Sequence, residues 1–564
     1  MNSVLLLIIG AVVFAFGYRF YSKLLAVKVF RLQDYSTGAE PPAHEGFTVR
    51  NRHLAFAHQF ALVAGATTVT GSAIAVLWGW IPAFLWVVVG TVIAAGIYAL
   101  GSVWLAFRRA GTSLADIAAD LIGRRARLPF LLLALVLLVL LNAGLAWLTA
   151  EILRMVPTAV IPFWLLVGFA VALGVRTQRG GRAAFSLALA VAFASTLASV
   201  WLLGKIPLAF SGALNFDAYG RTFVSVDATA LWMILIFVST YFATKAAPST
   251  LMQPRGYLTT ILAGLFLLIL IIGIIIQHPP LLAPDFHAVT DSPPVVPWMF
   301  VTLTSGALAG LYMLFAVGIT AEQLPTEADA RYVGYGTALA NGFFALTVIA
   351  VCTAGFSDQQ SWEQFYSSWT GVQSLPQLVA LYIDGFAHFA GALALAPEFA
   401  GTFAAVVIAG LISVTVDGGM RALRQLLKEF GELYPFARLR NDRTLLLVTV
   451  GLPAALAFAD GYGRGALLVW PLFGAWHQMF ALAGFLLIGM ALRHLQRSVL
   501  YLLVPGFFVL IVTTWALVAQ LVVWWSAGSW LLIAGAASLL GMGGWLAWEA
   551  VQTYRQPVAS VPDA

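Results

Sequence analysis

The chain has a single cysteine, Cys352, in 564 residues, which excludes an intrachain disulfide and implies no oxidising compartment. Charge is almost as scarce. Only 10% of the residues are charged and 61% are hydrophobic, with a mean hydropathy of +0.91, whereas a soluble domain carries about a quarter charged residues. That deficit excludes a large soluble core. The alternation of apolar and polar residues that a membrane β-barrel needs is missing as well. The net charge of +6 sits in short loops, with no basic tail and no basic patch interleaved with aromatics, so nucleic acid is not an expected partner. No HExxH, GxSxG or nucleotide loop is present, and the "HEGFT" at His44 lacks the second histidine of a zinc site. An enzyme, a resident metal and a cofactor are therefore not expected. The first apolar run, Val4 to Phe16, has no basic residues before it and no small-residue cleavage site after it, so it reads as an uncleaved span.

What the chain has is continuous apolar runs such as "LPFLLLALVLLVLLNAGLAWL", Leu128 to Leu148. About 20 such residues cross a bilayer as a helix. The expected fold class is all-α, a polytopic helical membrane protein with about fifteen spans. These lie at 3–19, 53–78, 82–107, 129–150, 159–175, 184–204, 228–247, 257–276, 297–320, 333–355, 400–422, 443–459, 466–492, 498–522 and 527–549. With the N-terminus outside, Arg19, Lys23, Lys28, Arg50, Arg52, Arg108, Arg109, Arg124, Arg125, Arg127, Arg176, Lys245 and Arg255 fall in inside loops. The loops from Gln277 and from Ser357 carry no Lys or Arg and fall outside. The weakly apolar stretch 377–398 would invert every later loop if it crossed, so it reads as a re-entrant or surface hairpin on the outer side, and the C-terminus comes out inside. Residues 1–564 then form one membrane domain.

Two segments place Gly, Thr and Ser where a lipid-facing helix would have Leu. They are "HQFALVAGATTVTGSAIAVLW", His58 to Trp78, and "MFVTLTSGALAGLYMLF", Met299 to Phe315. Glycine and hydroxyl residues favour local unwinding or close packing. The second segment lies seven spans after the first, and an odd separation gives opposite orientations. Paired interruptions in inverted halves point to a transporter binding site, while small-residue helix contacts are the simpler reading.

Four stretches resemble the carbon starvation protein A family of bacterial inner-membrane transporters. They are "HQFALVAGATTVTGS" with "FRRAGTSLADI" (Phe107 to Ile117), "TSGALAGLYMLFAVGITAEQLPTEADARYVGYG" (Thr304 to Gly336), "TVDGGMR" (Thr415 to Arg421) and "WPLFGAWHQMFALAG" (Trp470 to Gly484). "EADARYVGYG" and "WPLFG" are the most specific. The chain departs from the family at His58-Gln59 and "GATTVTGS", where a double histidine and "GAGPLVGP" are usual, and at Ala475-Trp476-His477. It reads as a divergent member. The resemblance implies secondary import of pyruvate or peptides coupled to protons. It also implies a core of five-plus-five inverted repeats like that of the amino-acid/polyamine/organocation superfamily. Repeat one would occupy 53–204, with "TSLADIAADLIG" (Thr112 to Gly123) as an inner surface helix. Repeat two would occupy 297–492, with 3–52, 228–276 and 498–549 as additions.

The candidate site residues follow. Half-helix N-termini carry positive partial charge, so the backbone at Gly65, Ala66, Thr67 and Thr68, and at Thr304, Ser305 and Gly306, is the expected binder of a cargo carboxylate. Trp476 and His477, well inside their span, would line the path or pack. Asp417 stands in the apolar run "LISVTVDGGMRALRQLL". Ser413, Asp417 and Arg421 share one helix face at i, i+4 spacing, and Thr415 lies on another with Gly418 and Gly419. The superfamily resemblance implies that this helix faces the first interruption and helps form a cation site for Na⁺, or carries H⁺ on the carboxylate; the alternative is a local Asp417–Arg421 pair. His58 is a candidate proton relay. Glu327, Asp329 and Arg331 form an expected salt-bridge or gating cluster. A channel or receptor for the same solutes is the rival class. The expected partners are a small carboxylate or peptide and the lipid bilayer; the oligomeric state is open.

Overall fold

The computed structural model describes residues 2–35, 51–179, 182–218, 221–289, 291–303, 308, 310–434 and 436–555. The apolar runs all become helices, because a bilayer core leaves backbone N–H and C=O groups no partner outside the helix itself. Among the described residues twelve helices are long and apolar enough to cross a membrane. They are Ser3–Val29, Trp80–Arg108, Arg124–Met155, Pro157–Arg176, Phe185–Leu203, Ala228–Lys245, Met252–Gln277, Arg331–Ala354, Pro397–Leu433, Trp470–His494, Leu500–Ser526 and Trp530–Arg555. A thirteenth is the pair Arg52–Val63 and Ala66–Trp78, bent by 55°. The protein is a multi-pass helical membrane protein. Its side chains Leu5, Val12, Leu85, Val522 and Leu531 are among many large apolar groups left exposed, as lipid-facing surfaces require.

Two more of the about fifteen expected spans are not long unbroken helices. The segment 443–459 forms Asp442–Ala457, 16 residues with Pro453 inside, about 24 Å of helix against the roughly 30 Å of a bilayer core. The segment 297–320 is not one helix: Val295–Thr302 ends, Leu303 turns out of helical geometry, and among the later described residues Leu311–Phe315 is helical.

Helix starts follow their capping residues. Asn2 accepts from Leu5 N, Asn51 from His53 N, Ser113 from Asp116 N and Asp227 from Ala230 N, each satisfying an amide that the helix cannot. Ser113 starts the short surface helix Leu114–Leu121, which the Thr112 to Gly123 stretch led one to expect. The stretch 377–398 forms one helix, Leu375–Ala390, and a tight turn through Ala394 into Pro397–Leu433. Gln277 Nε2 donates to His388 O near its C-terminal end. Its N-terminal end joins Asp291 and Trp369 around the mouth of the cavity described below. Both ends therefore sit at the same end of the bundle, and the helix does not cross. A two-stranded antiparallel hairpin, Leu214–Ala218 with Arg221–Val226, is the one sheet among the described residues. Most buried apolar side chains join one cluster that runs from Leu6 to Ala550.

Candidate functional site

The first interruption is built by Ala64 and Gly65. Ala64 is extended (φ −81°, ψ 137°), and Gly65 takes φ 154°, ψ −139°, a region that only glycine enters without strain. The chain leaves one helix axis and starts another at Ala66, with no side-chain cap on the new N-terminus. The helix Pro397–Leu433 closes on this break. Thr415 Oγ1 donates to Leu62 O at 3.1 Å, satisfying a carbonyl the break exposes. A Cβ on Gly65 would stand 3.6 Å from Ile412 N, and one on Gly418 would stand 2.3 Å from Leu62 Cδ2. Small residues on both chains therefore permit the approach.

The second interruption lies between Thr302 and Leu311; Thr304, Ser305 and Gly306 fall outside the described residues. Its flanks are pinned by the Trp470–His494 helix. A Cβ on Gly474 would stand 2.6 Å from Val301 O, and one on Gly310 would stand 2.3 Å from His477 O. Gly310 N donates to His477 Nδ1 at 3.3 Å, and Gly310 O accepts from Tyr98 Oη at 3.0 Å. The two interrupted helices meet directly: a Cβ on Gly71 would stand 2.7 Å from Thr302 O.

A cavity of about 1020 Å³ opens beside this crossing. Thr67, Thr70 and Gly71 line it from the first interrupted helix, Val301 and Thr302 from the second, and His477 from the Trp470–His494 helix. The Arg124–Met155 helix adds Trp147, Glu151 and Arg154, and the mouth carries Asp291, Trp369 and Arg464. Glu151 is buried, accepting from Arg154 at 2.8 and 2.9 Å and from Thr229 Oγ1 at 2.8 Å, while Arg154 remains half-exposed.

Of the residues expected to meet cargo, Thr67 and His477 are on this wall. Gly65 and Ala66 form the turn beneath it. Thr68 turns its hydroxyl to Asn341 Oδ1 at 2.9 Å. Trp476 is not among the residues that line the cavity and packs in the core; His477, although fully buried, borders the cavity. Glu151, Arg154 and Arg464 were not anticipated. The signal for the first two was present: an acid and a base at i, i+3 closing an apolar run.

Asp417 is paired, but not with Arg421. Arg255 Nη1 donates to Asp417 Oδ2 at 2.7 Å, and Arg255 Nη2 donates to Ser413 Oγ. The Arg255 guanidinium lies 5.6 Å from the Phe163 ring centroid. Arg255 is thus a buried residue inside Met252–Gln277 rather than a loop charge. Its charge is met by a carboxylate on another helix, which a loop-counting rule does not register. Arg421 instead donates to Ala246 O at 3.2 Å. The four expected coupling residues do not gather into one cage: Ser413 and Asp417 meet through Arg255, Thr415 faces the break, and His58 stands apart. His58 Nδ1 is 2.8 Å from Gln323 Nε2, and Tyr257 Oη donates to Gln323 Oε1 at 3.3 Å. Among the described residues no group of three His, Cys, Asp or Glu side chains could hold a metal ion.

At the end of the bundle away from the cavity, Glu327, Asp329 and Arg331 make three separate ties rather than one cluster. Glu327, fully buried, pairs with Arg108 Nε at 2.5 Å and accepts from Gln33 N at 3.0 Å. Asp329 lies 3.9 Å from Arg52 and accepts from Thr326 Oγ1. Arg331 donates to Ser22 Oγ and to Tyr18 O, each at 2.8 Å. They fasten three different segments to one loop.

The family model described as Carbon starvation protein CstA matches residues 2–397 and 378–516. A peptide transporter CstA of Mycobacterium tuberculosis is 28% identical over 403 residues; the match covers 68% of this chain and 50% of that protein, so the chain spans about half the length of this relative. The pyruvate/proton symporter BtsT of Escherichia coli is 26% identical, with 91% and 81% covered, and a peptide transporter CstA of Bacillus subtilis is 24% identical, with 92% and 90% covered. With its interrupted helices, its cavity and a family match along most of its length, the chain belongs to the carbon starvation protein CstA family.

Proposed function

We propose that the protein is a secondary active transporter that imports a small carboxylate or a peptide across the bacterial inner membrane by alternating access around the two interrupted helices. The observation that carries this reading is the cavity. Both interrupted helices bound it, it opens at one end of the bundle, and Arg108–Glu327 ties the other end shut. By the positive-inside rule the tied end, with Arg108, Arg124, Arg125 and Arg127, faces the cytoplasm. The N-terminus is then outside, the C-terminus inside, and the cavity outward-open. Its volume matches the upper part of the roughly 300–1,000 Å³ usual for pockets that hold drug-sized ligands, which leaves room for a short peptide as well as a keto acid. Relatives named as peptide transporters and as a pyruvate/proton symporter support the same cargo classes.

For the coupling ion, H⁺ is favoured over Na⁺. The Asp417 carboxylate and the Ser413 hydroxyl, two groups a sodium ion would use, are already taken by the Arg255 guanidinium. The discriminating experiment is uptake of labelled pyruvate and of labelled dialanine into sealed proteoliposomes under an imposed pH gradient or an imposed sodium gradient. Accumulation driven by the pH gradient alone is expected. Flux without accumulation under either gradient would make the protein a channel, and binding without flux a receptor.

A further inference from the structure

We propose that His477 is the cargo-selecting donor of the cavity, held as its Nε2–H tautomer by the backbone amide of Gly310, and that it binds a carboxylate or carbonyl oxygen of the cargo. The inference rests on the transport reading and deepens it by naming the atom that meets the cargo.

The argument is one of proton count. A backbone amide only donates, so the Gly310 N–H that points at His477 Nδ1 requires Nδ1 to be the unprotonated acceptor. In a neutral imidazole the single proton then sits on Nε2. Nε2 is buried and has no hydrogen-bond partner among the described residues, and His477, itself fully buried, borders the cavity, so cargo reaches Nε2 only when the ring turns or the wall parts. A buried donor without an acceptor is costly to leave unmade, and an acceptor supplied by cargo relieves it.

The surroundings leave this role open. Two described polar side chains near the second interruption are already engaged: Tyr98 Oη donates to Gly310 O, Gln478 Nε2 donates to Phe300 O, and Gln478 Oε1 accepts from Thr513. The Glu151 carboxylate, the acid that faces the cavity from the neighbouring helix, is occupied by Arg154 and Thr229. The Phe473 ring lies 5.5 Å from the imidazole and stacks on Trp470, so the ring is held in place on that side. The same histidine that meets cargo through Nε2 grips the second interrupted helix through Nδ1. Cargo binding and the position of that helix are therefore read by one ring.

Two substitutions separate the nitrogens. His477→Asn keeps an acceptor near the Nδ1 position and has no donor at Nε2; His477→Gln places a donor near Nε2. Uptake kinetics of pyruvate and dialanine in proteoliposomes, with the thermal midpoint of each variant, make the test. The KM of His477→Asn is expected to rise about tenfold or more, the size of a lost charge-assisted hydrogen bond, while His477→Gln, which keeps the Nε2 donor but leaves the Gly310 amide without its acceptor, shows a lower thermal midpoint and a clearly smaller KM rise. If His477→Asn is not recovered from the membrane, His477→Phe, which lacks both nitrogens, is compared with His477→Gln, which also lacks the Nδ1 acceptor but keeps the Nε2 donor. An unchanged KM in His477→Asn or His477→Phe overturns the proposal, as does an equal KM rise in His477→Gln. No accumulation by the wild-type protein would instead sink the transport reading itself.

Discussion

Arg255 and Asp417 sit on different helices and form an ion pair of 2.7 Å with 3% of each side chain exposed. The pair lies on the face where Pro397–Leu433 crosses Met252–Gln277, next to the first interruption. The carboxylate that stood out in an apolar run thus has a fixed cationic partner 162 residues away in sequence.

Removing one member of this pair leaves the other charged and buried, which costs about 3–5 kcal/mol. Asp417→Ala is expected to lower the thermal midpoint in detergent sharply. The double variant Arg255→Met with Asp417→Leu should regain most of that loss, because an apolar pair of similar volume replaces a buried ion pair at little net cost. An Asp417→Ala midpoint equal to wild type would show that the pair contributes nothing.

The coupling role is tested separately with Asp417→Asn, which keeps shape and hydrogen bonding but not charge. Under a pH gradient this variant should still exchange labelled pyruvate across the membrane and should no longer concentrate it. Continued accumulation to wild-type levels would remove Asp417 from the coupling pathway.

The tie between Arg108 and Glu327 should hold closed the end of the bundle away from the cavity. Glu327→Gln weakens a buried charge-assisted bond, worth about 1.5–3 kcal/mol, and local opening rises accordingly. Hydrogen exchange followed by mass spectrometry should show amides in 31–35 and 321–335 exchanging on the order of tenfold faster or more. Unaltered protection there would rule out a gating tie.

Gly71 and Gly310 are sites where a methyl group meets backbone, at 2.7 Å from Thr302 O and 2.3 Å from His477 O. Gly71→Ala and Gly310→Ala must push helices apart, at a typical cost of about 1–3 kcal/mol, and uptake should fall in both. Gly168→Ala is the control, since a Cβ there meets open space within the Val160–Arg179 helix; it should be neutral or gain up to about 1 kcal/mol of helix propensity. Equal behaviour of all three variants would deny the crossing its tight packing.

Much of the fold was legible before the coordinates because bilayer constraints are written locally. Apolar runs of span length, capping residues and clustered glycines each act over a few neighbours. The two glycine-rich segments stood out for that reason. The site was less legible. Thr67 and His477 came from glycine-rich and polar spots inside spans and do line the cavity, but Trp476, one residue away from His477, faces the core. A position within a span says that a side chain is buried; which neighbour it meets depends on the rotation of the helix about its axis.

By itself the sequence determined that this protein is a bundle of membrane helices, since lipid offers no hydrogen bonds, and it marked two glycine-rich segments as places to unwind or to pack closely; the structure decided that the first breaks at Gly65. Only the tertiary structure decided that Asp417 pairs with Arg255, that Glu327 reaches Arg108, and that His477 grips Gly310. Those contacts join residues more than 150 positions apart. A charge or a ring chooses its partner by the packing of whole helices, which no local pattern encodes.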